Sequence, residues 1–128
     1  MTVTIRPAVP ADFAALGYPS IPYRAKCLTA VEGDTVLGLG GLIYYPDGTV
    51  WASALISEAG RRFRKAILSV GREVMAMAER DGLRRVYARA EQGRAGADRY
   101  LEWLGFERVV VNGDAAWVWT CTTSPLRH

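Results

Sequence analysis

Between residues 56 and 63 the apolar pattern of this chain changes its period. That change constrains the fold more than any other feature. Upstream lie three strand-like segments, residues 27–31, 35–45 and 49–56. They are separated by Glu32-Gly33-Asp34 and Pro46-Asp47-Gly48, which predict tight turns and so three consecutive strands. Downstream, Phe63, Ile67, Val70, Val74 and Met77 follow at steps of four, three, four and three. Those steps put one apolar stripe on a helix ending near Asp81, with Gly82 just past its end in a left-handed turn. Gly38, Gly40 and Gly41 punctuate the second strand and predict bulging or a close backbone approach.

The flanks add six elements. Residues 2–6 alternate as a short strand, and Pro10-Ala11-Asp12 opens a short helix to about Leu16. Residues 17–24 carry two prolines and read as a loop, whose Tyr18 and Tyr23 either line a cleft or pack. After Gly82 come a strand over 83–90, a loop over 91–95, and a helix over 95–104 closed by Gly105 with Phe106 packing back. A hairpin follows, residues 106–111 and 115–121 around Asn112-Gly113-Asp114. The order β-α-β-β-β-α-β-α-β-β means a mixed α/β domain around one central sheet. At 128 residues there is room for one domain, taken as 1–122, with 123–128 as a fraying tail.

Composition removes several classes. Half the residues are apolar and 23% are charged, which excludes wholesale disorder. The most apolar stretch, residues 36–45, is too short to cross a bilayer, and the N-terminus lacks the basic start and apolar block of a secretion signal. A cytoplasmic location without a membrane partner is expected. Cys27 and Cys121 form no CxxC spacing, and His128 is the last residue, so two free thiols and no metal site are expected.

Charge is unevenly spread. Residues 61–99 hold eleven bases against five acids, a local +6 within a chain of net +3. The densest part, Gly60-Arg61-Arg62-Phe63-Arg64-Lys65, falls at the start of the predicted long helix. Helix starts favour acids, so four bases there oppose the dipole unless an anion arrives. The alternative is a merely solvated helix end.

Four phrases, TIRPAVPADFAAL, AVEGDTVLGLGGL, VMAMAERDGLRRVYARA and RYLEWLGFERV, together resemble the GNAT N-acetyltransferase family. The resemblance runs from residue 2 to about 120. It implies a GNAT-like fold, a mostly antiparallel central sheet, splayed in the middle and flanked by helices. Acetyl-coenzyme A would enter between the strands at 49–56 and 83–90. Its pantetheine arm would pair with the first strand, near Ile56 and Ser57, and its pyrophosphate would lie on the next helix start.

In the family that helix opens with R/Q-x-x-G-x-G/A. The matching positions are Arg62, Phe63, Arg64, Lys65, Ala66 and Ile67. The arginine is present, and Lys65 and Ile67 replace the glycines. Either the side chains of Arg61, Arg62, Arg64 and Lys65 hold the phosphates, as arginine chemistry permits, or the site is lost.

The family's tyrosine acid would fall at Leu101. Tyr100 is adjacent, about 100° around the helix, and is the candidate acid or else a packing residue. The reaction also needs a proton acceptor, and Glu58 and Glu91, near the ends of the two splayed strands, are the carboxylates to test; both also read as solvated loop acids. Trp51, Trp103, Trp117 and Trp119 read as packing anchors, though Trp117 and Trp119 share a face that could meet a partner. Tyr44 and Tyr45 could border the acceptor cleft.

These features predict an enzyme moving acetyl from acetyl-coenzyme A to a small-molecule or protein amine by direct transfer, and a homodimer is allowed. A second reading is a non-catalytic binding or assembly protein, resembling compact GNAT-like proteins of bacteriophages and prophages. A third is nucleic-acid binding through the arginines. It lacks any recognised motif, and Glu73, Glu79 and Asp81 interrupt the basic stripe.

Overall fold

The computed structural model describes residues 2–18, 21–89 and 97–121. Along them run β1 (Val3–Pro7), α1 (Pro10–Ala15), β2 (Arg24–Glu32), β3 (Thr35–Tyr44), β4 (Val50–Ile56), a 3-10 turn (Ala59–Arg62), α2 (Arg64–Arg80), β5 (Arg85–Ala88), α3 (Ala97–Trp103), β6 (Glu107–Val111) and β7 (Asp114–Thr120). The alternation of strands and helices is the one read from the sequence. The loop at 91–95, the first residues of the 95–104 helix and the tail at 123–128 lie outside the described residues. No helix among the described residues is long and apolar enough to cross a membrane.

Seven strands form one sheet in the order β1-β2-β3-β4-β5-β7-β6. Short turns make β1 to β4 antiparallel neighbours, and the β6–β7 hairpin closes the other edge. Only β4 and β5 are parallel, because α2 crosses over between them.

The apolar stripe of α2 explains where the core sits. Ile67, Val70 and Val74 are buried against the sheet, and Gly38 and Gly40 lie beneath them. Two residues apart on a strand, these glycines share one face. A Cβ on Gly40 would stand 2.9 Å from Val70 Cγ1. Close approach is therefore one reason for the glycines, and the bulging also expected falls beside them: Ala30 pairs with Gly38 and Val31 with Val36, which leaves Leu37 as the extra residue of β3. Both α2 and α3 stop as expected. Gly82 and Gly105 have φ of +73° and +96°, and the following N–H groups of Leu83 and Phe106 bond back to Ala78 and Leu101 at 3.0 and 2.9 Å.

A buried carboxylate fixes α1. Asp12, 3% exposed, receives both Arg6 guanidinium nitrogens at 2.8 and 2.9 Å. It also accepts the Val9 N–H and the Thr29 hydroxyl, each at 2.8 Å. One side chain thus ties the helix start to β1 and β2.

Three boundaries move for visible reasons. The helix expected from Phe63 begins at Arg64, because Phe63 at φ −113°, ψ 57° breaks the path between the 3-10 turn and α2. The strand expected over 83–90 is ordered as β5 only over Arg85–Ala88, since Leu83 is spent in the helix stop. Finally, β2 begins earlier, at Arg24, because Tyr44 at the far end of β3 gives it a partner.

Candidate functional site

The sheet parts in its middle. β4 pairs with β3 along its whole length, yet with β5 it shares only the Trp51–Tyr87 rung. Beyond that rung, residues 52–56 have no strand partner on the β5 side among the described residues. Ser53 and Ala54 are exposed, although their strand is fourth of seven. An interior strand with an exposed middle has backbone donors and acceptors waiting for a partner. At the rung the Trp51 and Tyr87 rings lie 5.3 Å apart, and the guanidinium of the exposed Arg89 is 5.1 Å from the Trp51 ring centre.

At the C-terminal end of β4 a cleft of about 320 Å³ opens between Ala54, Leu55, Ile56, Ser57 and Glu58 on one side and Ala15, Leu16 and Tyr18 on the other. Ser57 shapes this end. Its N–H and its hydroxyl both donate to the Leu37 carbonyl at 3.0 Å, and its hydroxyl oxygen accepts the Gly60 N–H at 3.0 Å. Gly60 is required by space, since a Cβ there would lie 1.8 Å from the same carbonyl. The 3-10 turn is thereby clamped onto β3 and aims α2's first turn beside the parted strands.

That first turn carries positive potential that the protein itself does not cap. No side chain caps it and no acid lies in it. The first helical bond runs from the Ile67 N–H to the Phe63 carbonyl at 3.1 Å. The N–H groups of Arg64, Lys65 and Ala66 precede that bond and so lack helical acceptors. Arg61, Arg62, Arg64 and Lys65 are all exposed, and none forms an ion pair among the described residues. The other end of α2 is charged against the dipole too, by Asp81, but there Lys26 answers at 2.5 Å and holds the carboxyl below its usual range. At the basic end the protein supplies no answering charge among the described residues, so the helix start and the four cations favour an arriving anion.

The residues that the sequence nominated divide by position. Ile56, Ser57 and Glu58 line the cleft, and Arg61, Arg62, Arg64, Lys65 and Ala66 surround the helix start. Ile67 points into the core against Gly38, with its N–H already bonded, so it neither blocks nor lines the entrance. Glu91 lies outside the described residues. Leu101, at the family's tyrosine position, is 8% exposed and packed in the core. Tyr100 lies against α2, where its hydroxyl donates to the Ile67 carbonyl at 3.1 Å, and burial pushes its phenol up to about 12. Gly71 makes that possible, because a Cβ on it would stand 2.3 Å from the hydroxyl oxygen.

The aromatic residues divide as well. Trp117 is 5% exposed and Trp119 packs on the core, so both anchor the sheet. Tyr44 reaches Asp81 at 3.1 Å, away from the cleft, while Tyr45 meets the Tyr23 ring at 4.9 Å. Tyr18, from the proline-rich loop, does line the cleft. The sequence does not announce the Ser57–Gly60 clamp. Its only trace in sequence is a glycine standing immediately before the basic run.

No family model and no curated protein sequence matches the chain. Solved structures do. The ribosomal-protein-S18-alanine N-acetyltransferase of Escherichia coli superposes with a TM-score of 0.74 at 11% identity, covering 99% of each chain. A GNAT-family acetyltransferase of Staphylococcus aureus gives 0.73 at 9% identity, over 93% of this chain and 99% of that one. An acetyltransferase of Bacillus subtilis, solved in complex with CoA, gives 0.61 at 14% identity, over 77% and 78%. The fold is that of the GNAT acetyltransferases.

Proposed function

We propose that this chain is an acetyl-coenzyme A-dependent N-acetyltransferase that moves the acetyl group directly to a primary amine. One observation carries the reading: the exposed middle of β4, with no described strand partner on the β5 side, leads through the 3-10 turn to a basic, uncapped helix start. A long amide-bearing arm ending in a diphosphate complements both halves. The amides would complete β4 as an added strand edge, and the diphosphate would take the N–H groups of Arg64, Lys65 and Ala66. In this reading Arg61, Arg62, Arg64 and Lys65 supply the grip that glycines give elsewhere in the fold. Arginine does so with paired hydrogen bonds, so the lost glycines do not by themselves remove the site.

The chemistry proposed is a single displacement. The neutral amine attacks the thioester carbonyl, the C–S bond breaks, and coenzyme A leaves as thiolate. Holding both reactants in the gap supplies the effective concentration, and free β4 N–H groups can meet the developing oxyanion. Glu58, on the cleft wall, is the proposed acceptor of the ammonium proton through water, and Glu91 is the second carboxylate to test. Tyr100 is the proposed donor to the thiolate. It stays protonated at working pH, and to act it must exchange its bond to Ile67 for one to sulfur.

Thermal shift with acetyl-coenzyme A, followed by thiol release over an amine panel, tests the reading. At a hundred times the dissociation constant, binding should add about 2.7 kcal/mol of stability. No shift at millimolar ligand would end the proposal. A shift without thiol release from any amine would leave binding and remove transfer.

A further inference from the structure

A second cavity, of about 120 Å³, adjoins the cleft on the face of the sheet away from α2. Tyr18 and Leu55 belong to the walls of both spaces. Strand alternation builds the rest. Cys27 faces Gly41 across β2–β3, and Leu39 faces Leu55 across β3–β4, so all four turn to this side, with Ile43 two residues beyond Gly41. Phe13 of α1 covers them. Gly41 leaves the Cys27 sulfur room to lie over the strand, since a Cβ there would be 2.4 Å from it.

The two spaces differ in chemistry. The cleft carries Glu58 and the unpaired end of β4. Among the described residues the cavity wall contains no charged side chain. A molecule spanning both needs a polar, reacting head in the cleft and an apolar body in the cavity. A second ammonium or a sugar placed there would lose its hydration without an answering charge.

We propose that this cavity holds the non-reacting body of the acceptor, so that the acceptor is a primary amine bearing a branched aliphatic group of about four carbons. The size follows from volume: an apolar cavity of about 150 Å³ accepts a benzene ring, and this one is slightly smaller. The inference rests on the transferase reading for the amine's role, and on the cavity alone for its selectivity.

Cys27 serves as the reporter. In the Cys121→Ser chain, alkylation of Cys27 by iodoacetamide is followed by intact mass at pH 9, because burial pushes this thiol up. Millimolar 3-methylbutylamine should slow alkylation at least fivefold, and putrescine should not. In turnover, 3-methylbutylamine should exceed ethylamine in kcat/KM by about tenfold or more, since each buried methylene is worth roughly fourfold. Equal protection by both amines, or by neither, overturns the proposal. So does protection by butyryl-coenzyme A but not by the amines, which would make the cavity an acyl pocket. If 3-methylbutylamine protects Cys27 while acetyl-coenzyme A gives no thermal shift, the transfer reading falls and the cavity's selectivity stands.

Discussion

Replacing Asp12 by asparagine keeps the shape of the side chain and removes its charge. The carboxylate is 4% exposed and receives four hydrogen bonds, two of them from the Arg6 guanidinium. Arg6 pulls the Asp12 carboxyl down to about 2 from an ordinary 3.8, against burial, which pushes it up. That shift corresponds to about 2.5 kcal/mol of folding stability. For a chain of 128 residues the unfolding entropy near 60 °C is about 0.27 kcal/mol/K, so the variant should melt about 9 °C lower at pH 7. The sign with pH is set by the depressed value. The contribution is complete above the unfolded pKa and drains away as pH falls from about 4 towards 2. Melting followed by circular dichroism between pH 7 and pH 2 reads both effects. The wild type should lose stability steeply on this acid limb, and Asp12→Asn should lose less. A variant melting within about 2 °C of the wild type at pH 7, or one with an equally steep limb, would refute the assignment of Asp12 as the charge that fixes α1.

Other outcomes follow from the same geometry. Arg64→Ala with Lys65→Ala should weaken coenzyme A binding about tenfold or more, with a shallower salt dependence, as titration calorimetry would show; unchanged affinity would move the diphosphate elsewhere. Gly60→Ala must displace the Leu37 carbonyl or the turn and should cost about 2–4 kcal/mol in urea unfolding. Tyr100→Phe should cost about 1 kcal/mol through the lost bond to Ile67. Because burial raises the phenol to about 12, the wild type should also lose stability between about pH 10 and 12, and Tyr100→Phe should lose less over that range. If Tyr100→Phe lowers kcat a hundredfold or more with its melting temperature nearly intact, the phenol acts on the sulfur as well as on the helix.

The order of elements was legible because each is announced locally. The stripe from Phe63 to Met77 announces α2, and Gly82 and Gly105 announce the ends of helices. The basic helix start was also legible, as a run of charge placed against the dipole. What sequence could not supply is distance between segments far apart in the chain. Ser57 and Gly60 matter through Leu37, some 20 positions earlier, and nothing near them spells that meeting. The direction of Tyr100 depends on the roll of α3, which Gly71 on another helix decides. The apolar cavity draws on α1, three strands and the loop before β2, each contributing residues that look ordinary alone.

The lone Trp51–Tyr87 rung also has a mechanical consequence. Strands β1 to β4 and strands β5, β7 and β6 are two leaves that share one backbone rung among the described residues, with α2 as the chain's crossover between them. Whatever lodges in the gap becomes the missing binding of the book, so occupancy and stiffness rise together. Amide exchange along residues 52–56 would therefore register a guest before any product is formed.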